Sequence, residues 1–274
     1  MFISRPKTSV AGKLFEFKAK CSEVPFNESF DDTWCSMPQT FEAVIEQVLQ
    51  FEVRSDDVFL VTFMKSGTTW MQETAWMLLN DLDYEGSTQL PLSQRSPFME
   101  YHGIRPNFPN AIKLCGIFGS PRLIKSHLPA NLLPQQIWQK KTKLIYVARN
   151  CKDVIVSSYH FTKAIGHWSG DDIADYVDDF MNNKILYTSY WSHVVNFWKM
   201  RNQSHIFFVT YEEMQRNLRG VIQRLCEFLE IPQLNDRQME KLLEHLSFDN
   251  MKGKQSAAER VYFQAVNNTT YTAT

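Results

Sequence analysis

A dominant charge of one sign is missing from this 274-residue chain: 29 basic residues stand against 30 acidic ones. No global field therefore draws it toward nucleic acid or an anionic membrane, and any anion site must be built locally. Cysteine is scarce and odd in number. The five, Cys21, Cys35, Cys115, Cys151 and Cys226, are widely spaced with no CxxC pair, which argues against a disulfide framework or a cysteine zinc site and fits a reducing compartment. Long apolar runs are absent too. Stretches such as residues 58–61 and 154–156 fall far short of the ~20 residues a membrane span requires, and no apolar leader opens the chain. The expectation is a soluble, cytoplasmic protein without membrane or nucleic-acid partners.

What is present is apolar surface: 44% hydrophobic and 14% aromatic residues, with 20 Phe and 7 Trp. That suffices for one large core, and the aromatics serve either core packing or an aromatic-lined pocket. No repeat period appears. Three stretches share one pattern, a short β-rich run, a polar or basic turn, then an amphipathic helix. They are residues 58–63 with a helix from about Thr68, 143–147 with a helix from about Lys152, and 206–209 with a helix from about Glu212. The first helix stacks Trp70, Met71, Thr74, Ala75, Met77 and Leu78 on one face; the third carries Val221, Leu225, Phe228 and Leu229 before Pro232 stops it. Such repetition implies an α/β fold, a three-layer parallel sheet flanked by helices with ligands at the strand C-terminal ends. Residues 1–40, punctuated by Pro6, Pro25 and Pro38, read as an irregular N-terminal segment, followed by a helix near 41–51, one domain over 41–250 and a loose, divergent tail over 251–274.

The strongest local signal is TFMKSGTTW, residues 62–70. A strand runs through Lys65, Ser66 and Gly67 into a helix begun by Thr68 and Thr69. Gly67 lets backbone approach an oxyanion, the first helical amides point outward, the helix dipole favours negative charge, and Lys65 adds a cation. It is not a Walker A loop, because lysine precedes glycine and no upstream glycine is in place. The plainer alternative is an ordinary helix start with Thr68 near the cap. In RLIKSHLP, residues 122–129, Lys125 and His127 sit two apart, so an extended backbone turns both to one side. A histidine among apolar residues beside a lysine is held neutral, as a general base requires, although a lone histidine is more often structural. In YVARNCKDVIVSSYHF, residues 146–161, Arg149 leaves a strand and Ser157 lies in the following helix. Arg149 either forks onto a phosphate or pairs with Asp153 at the surface; the residues alone leave the two even.

Taken together and in order, from about Phe51 to Phe248, these segments resemble the cytosolic sulfotransferase family. The resemblance implies a nucleotide-kinase-like sulfotransferase fold and transfer of a sulfuryl group from 3′-phosphoadenosine 5′-phosphosulfate to a small hydrophobic alcohol or phenol, with no metal. It implies that Lys65, Ser66, Gly67, Thr68 and Thr69 wrap the phosphosulfate and that Trp70 lies against the adenine. Arg149 and Ser157 hold the 3′-phosphate, Tyr211 in VTYEEM reaches the adenine edge, and Ser247 with Phe248 in HLSF completes the nucleotide pocket. Phe161, Lys125 and His127 face the acceptor, with His127 as base and Lys65 and Lys125 stabilising charge.

Two departures stand out. Met64 replaces the family's proline in TYPKSGTTW, so the turn loses a fixed φ angle. After Phe248 the family's RKGxxGDWK segment, which clasps the 3′-phosphate, is absent; Lys252, Gly253 and Lys254 are no substitute for it. The family's C-terminal dimer segment is absent as well, so a homodimer is not expected. An alternative therefore stands beside the enzyme: an impaired or non-catalytic sulfotransferase-like nucleotide-binding protein.

Overall fold

The structure is a computed structural model describing residues 2–9, 12–21, 23–25 and 33–251. Its centre is a four-stranded sheet of β4 (Val58–Thr62), β5 (Leu123–Ser126), β6 (Lys143–Ala148) and β7 (Ile206–Thr210), in the order β5-β4-β6-β7 and parallel throughout. Every residue of β4 is buried, because a central parallel strand is covered on both faces and so reads as an unbroken apolar run.

Alternate residues divide between two cores. Phe59, Val61, Leu144 and Tyr146 point to one cluster with Phe41, Leu128, Phe180 and Phe197. Val58, Leu60, Ile145 and Val147 point to the other, filled by Met71, Ala75, Val221, Leu225 and Leu242. The layers expected from the βα repetition are present: helices cover both faces of a parallel sheet.

A helix follows each of β4, β6 and β7. Thr68–Leu79 follows β4, and Cys151–Ala164 follows β6 with the Asn150 side chain accepting from Lys152 N. The run after β7 is broken at Asn217 into Tyr211–Arg216 and Leu218–Leu229, and Asn217 caps the second piece by accepting from Gly220 N. The helix Asp236–His245 opens with a capping box between Asn235 and Gln238. The helix expected near 41–51 is shorter, a 3₁₀ turn Gln39–Ala43 and one helical turn Ile45–Leu49.

The N-terminal segment corrects the sequence reading. Instead of irregular chain it forms an antiparallel sheet of β1 (Phe2–Ser9), β2 (Gly12–Ala19) and β3 (Cys35–Pro38), with Phe2 opposite Ala19 and Phe17 opposite Cys35. Phe15, Phe17 and Ala19 alternate with Glu16 and Lys18, a strand period that the prolines mask. Pro6 sits in edge strand β1 and Pro38 ends edge strand β3, positions where a missing N–H is tolerated. Phe17 carries this sheet into the main core by packing edge-on against Phe41 at 5.2 Å. No helix among the described residues is long and apolar enough to cross a membrane. The tail expected over 251–274 lies outside the described residues except for Met251.

Candidate active site

The site forms where β4, β5, β6 and β7 end. After β4 the chain turns through Lys65 at φ 65° and Gly67 at φ 97°, both left-handed. The turn is closed by the Thr62 and Thr68 hydroxyls, 2.6 Å apart. Gly67 is required twice over, by its φ and because a Cβ there would stand 2.6 Å from Tyr211 Cδ2. The N-cap Gly67 offers no side chain to the helix that follows, and the N-terminal end of a helix favours an anion.

Arg149, just beyond β6, donates from Nη1 to the Lys65 carbonyl at 2.9 Å and lies over the Tyr211 ring at 4.4 Å. The surface pairing with Asp153 is not the contact it makes. Tyr211, opening the helix after β7, meets Trp70 edge-on at 5.8 Å. Lys65, Gly67, Trp70, Arg149 and Tyr211 thus converge from three strand ends. In this group Trp70 Nε1 and Arg149 Nε, and in the same turn Ser66 Oγ, are buried with no hydrogen-bond partner among the described residues. Buried donors left in this way are what an oxyanion ligand would satisfy.

His127 follows β5 and is buried. Its Nδ1 lies 2.8 Å from the Thr62 carbonyl, which can only accept, so the proton is on Nδ1 and the lone pair on Nε2. Burial, then the Lys125 charge, hold the imidazole well below its ordinary range, with Lys65 adding to the effect. The His127 ring is flanked edge-on by Phe98 at 5.1 Å and Tyr187 at 5.4 Å. Lys125 Nζ lies 4.3 Å from the Phe98 ring centre, and Lys65 Nζ 4.6 Å from that of Phe161. Behind His127 runs a buried relay: Tyr146 donates its hydroxyl to His193 Nδ1 at 2.8 Å, and His193 Nε2 donates to the His127 carbonyl at 3.1 Å. Burial pushes His193 down to about 4, consistent with its neutral form.

The remaining expected residues are Ser157, Ser247 and Phe248. Ser157 is half-buried in the second turn of Cys151–Ala164. Ser247 and Phe248 follow the Asp236–His245 helix and are exposed, Phe248 to 76%.

Sequence reasoning missed Phe98, Glu100 and Tyr187, which reach the site from connections carrying no strand or helix period, and His193, which lies on the buried face of the helix Tyr190–Met200. Glu100 had one faint signal, a lone carboxyl among Phe98, Met99 and Tyr101. Burial raises it to about 7.

An anion-receiving turn beside a neutral buried histidine defines an α/β protein suited to group transfer from an anionic donor. The model of the Sulfotransferase domain matches residues 55–271. Sulfotransferase 1B1 of Canis lupus familiaris is 38% identical over 221 residues, 78% of this chain and 72% of that protein. Sulfotransferase 1E1 of Homo sapiens is 32% identical over 237 residues, 86% and 80%. Luciferin sulfotransferase of Photinus pyralis is 36% identical over 231 residues, 78% of this chain but 62% of that protein, so the chain spans less than two thirds of that relative. Retinol dehydratase in complex with androsterone and the inactive cofactor PAP shares the fold, with TM-score 0.77 at 22% identity over 91% of this chain and 80% of that one. The chain belongs to the sulfotransferase family.

Proposed function

We propose that this protein transfers a sulfuryl group from 3′-phosphoadenosine 5′-phosphosulfate to the hydroxyl of a small hydrophobic alcohol or phenol. The observation that carries the reading is the state of His127: Nδ1–H on the Thr62 carbonyl leaves a basic Nε2 within reach of two lysine fields at an uncapped helix start. Orphaned donors on Ser66 and Arg149 support an anionic nucleotide.

In this reading the turn from Lys65 to Thr69 receives the phosphosulfate, Trp70 and Tyr211 the adenine, and Arg149 with Ser157 the 3′-phosphate; Ser247 and Phe248 complete that side. His127 Nε2 takes the acceptor's hydroxyl proton as the acceptor oxygen bonds to sulfur and the bond from sulfur to the phosphate oxygen breaks. Lys65 and Lys125 hold the negative charge gathering on the leaving oxygen and the sulfuryl oxygens. Phe161 and the aromatics beside His127 favour an apolar acceptor.

The exposure of Phe248 supports a second reading, nucleotide binding without useful turnover. Transfer of radiolabelled sulfate from the donor to 4-nitrophenol, at high donor concentration, separates the two. Product formed by the wild type and lost in His127→Ala is the expected result. Binding of adenosine 3′,5′-bisphosphate without transfer to this or a panel of steroid and aliphatic alcohols would leave only the second.

A further inference from the structure

Residues 97–100 run beside β5 although they precede it by more than twenty positions. Lys125 N donates to the Pro97 carbonyl and Met99 N to the Lys125 carbonyl, each at 2.9 Å, and Phe98 pairs with Lys125 in a parallel bridge. This short addition to the sheet delivers Glu100 to the back of His127, wholly buried.

One oxygen of Glu100 does two things. Oε1 accepts from His127 N at 2.6 Å and from the Tyr187 hydroxyl at 3.2 Å. Tyr187 in turn sets its ring edge-on to the His127 ring. The carboxyl therefore grips the His127 main chain directly and its imidazole through Tyr187. The Ser126 hydroxyl and the Lys125 charge are the carboxyl's further polar neighbours. Burying a carboxyl is unfavourable for folding even so, so stability alone does not account for a glutamate here. Position does: only a side chain of this length, on this strand, meets the His127 amide and the Tyr187 hydroxyl with one atom.

We propose that Glu100 is a positioning residue for the His127 base, fixing the imidazole so that Nδ1 stays on the Thr62 carbonyl and Nε2 faces the acceptor. The proposal rests on the reading of His127 as the base.

The test uses two readouts, steady-state kinetics with 4-nitrophenol and ¹⁵N NMR of the His127 ring. Glu100→Gln retains an accepting oxygen and is expected to keep kcat within about threefold and a single Nδ1–H tautomer. Glu100→Ala is expected to lower kcat by roughly 10- to 100-fold, since small misplacements of a reacting group cost about that much. Donor KM should be unchanged, and the ring signal should move to mixed tautomers. Equal losses in the Ala and Gln variants with an unmoved His127 signal would show a merely structural role and overturn the proposal. Should Glu100→Ala fail to fold, Tyr187→Phe decides: a His127 signal that does not move overturns it. If the wild type transfers no sulfate yet the tautomer depends on Glu100, the functional reading fails and the positioning role stands.

Discussion

The Glu73 carboxylate accepts from His245 Nε2 at 2.8 Å, a contact across 172 positions that ties the helix Asp236–His245 to the helix that follows the Lys65 turn. Ser87 Oγ donates to the same oxygen at 2.8 Å and Arg95 Nη2 to the other at 2.7 Å, all buried. Burial alone would raise this carboxyl, but the His245 bond and the Arg95 charge outweigh it and hold it at about 2.

Glu73→Ala leaves the Arg95 guanidinium buried without its counter-charge, and a loss of about 3–5 kcal/mol is expected by urea denaturation. The sign of the pH effect follows from a depressed folded pKa. The stabilisation is complete above the unfolded value near 4.5 and declines as pH falls toward about 2. Glu73→Gln should abolish that acid-side slope.

Glu100 behaves in the opposite sense. Its folded pKa, about 7, lies above the ordinary 4.5, so the folded state holds the extra proton between those values. Its contribution is fully present below 4.5 and is lost as pH rises through 7. Melting temperatures of Glu100→Gln relative to wild type should therefore improve from pH 5 to pH 8; a constant difference would contradict the assignment.

His127→Ala should lower turnover by roughly 10²–10⁴. Because burial and the lysines keep the wild-type imidazole deprotonated well below 6.5, the acid limb of the kcat profile should fall below the ordinary histidine range. A limb centred at 6.5 would point to another base.

Gly67→Ala meets both a left-handed φ and the Tyr211 ring, and Arg149→Ala removes the guanidinium lying on that ring. Each variant should remain folded and lose the stabilisation by adenosine 3′,5′-bisphosphate, about 2.7 kcal/mol at one hundred times the dissociation constant. A thermal shift equal to wild type in both would remove the turn and Arg149 from the nucleotide site.

The parallel sheet and the turn at Lys65 were legible because their signals are local. Buried β runs, a glycine before a helix and an apolar stripe each occupy fewer than a dozen adjacent positions. The N-terminal sheet was not legible, since Pro6 and Pro38 look like breakers until edge strands accommodate them. The helix near 41–51 was overextended because apolar spacing does not reveal where Val44 leaves helical geometry.

By itself the sequence determined the three strand-turn-helix units of the parallel sheet and the turn that carries Lys65 and Gly67, because backbone geometry and helix starts are set over a few residues. Only the tertiary structure decided that Thr62 selects the His127 tautomer, that Glu100 and Tyr187 stand behind it, and that Phe248 is exposed. Those relations depend on which distant segments share a sheet edge and which side chains lose water there, and neither is encoded in the spacing of neighbours.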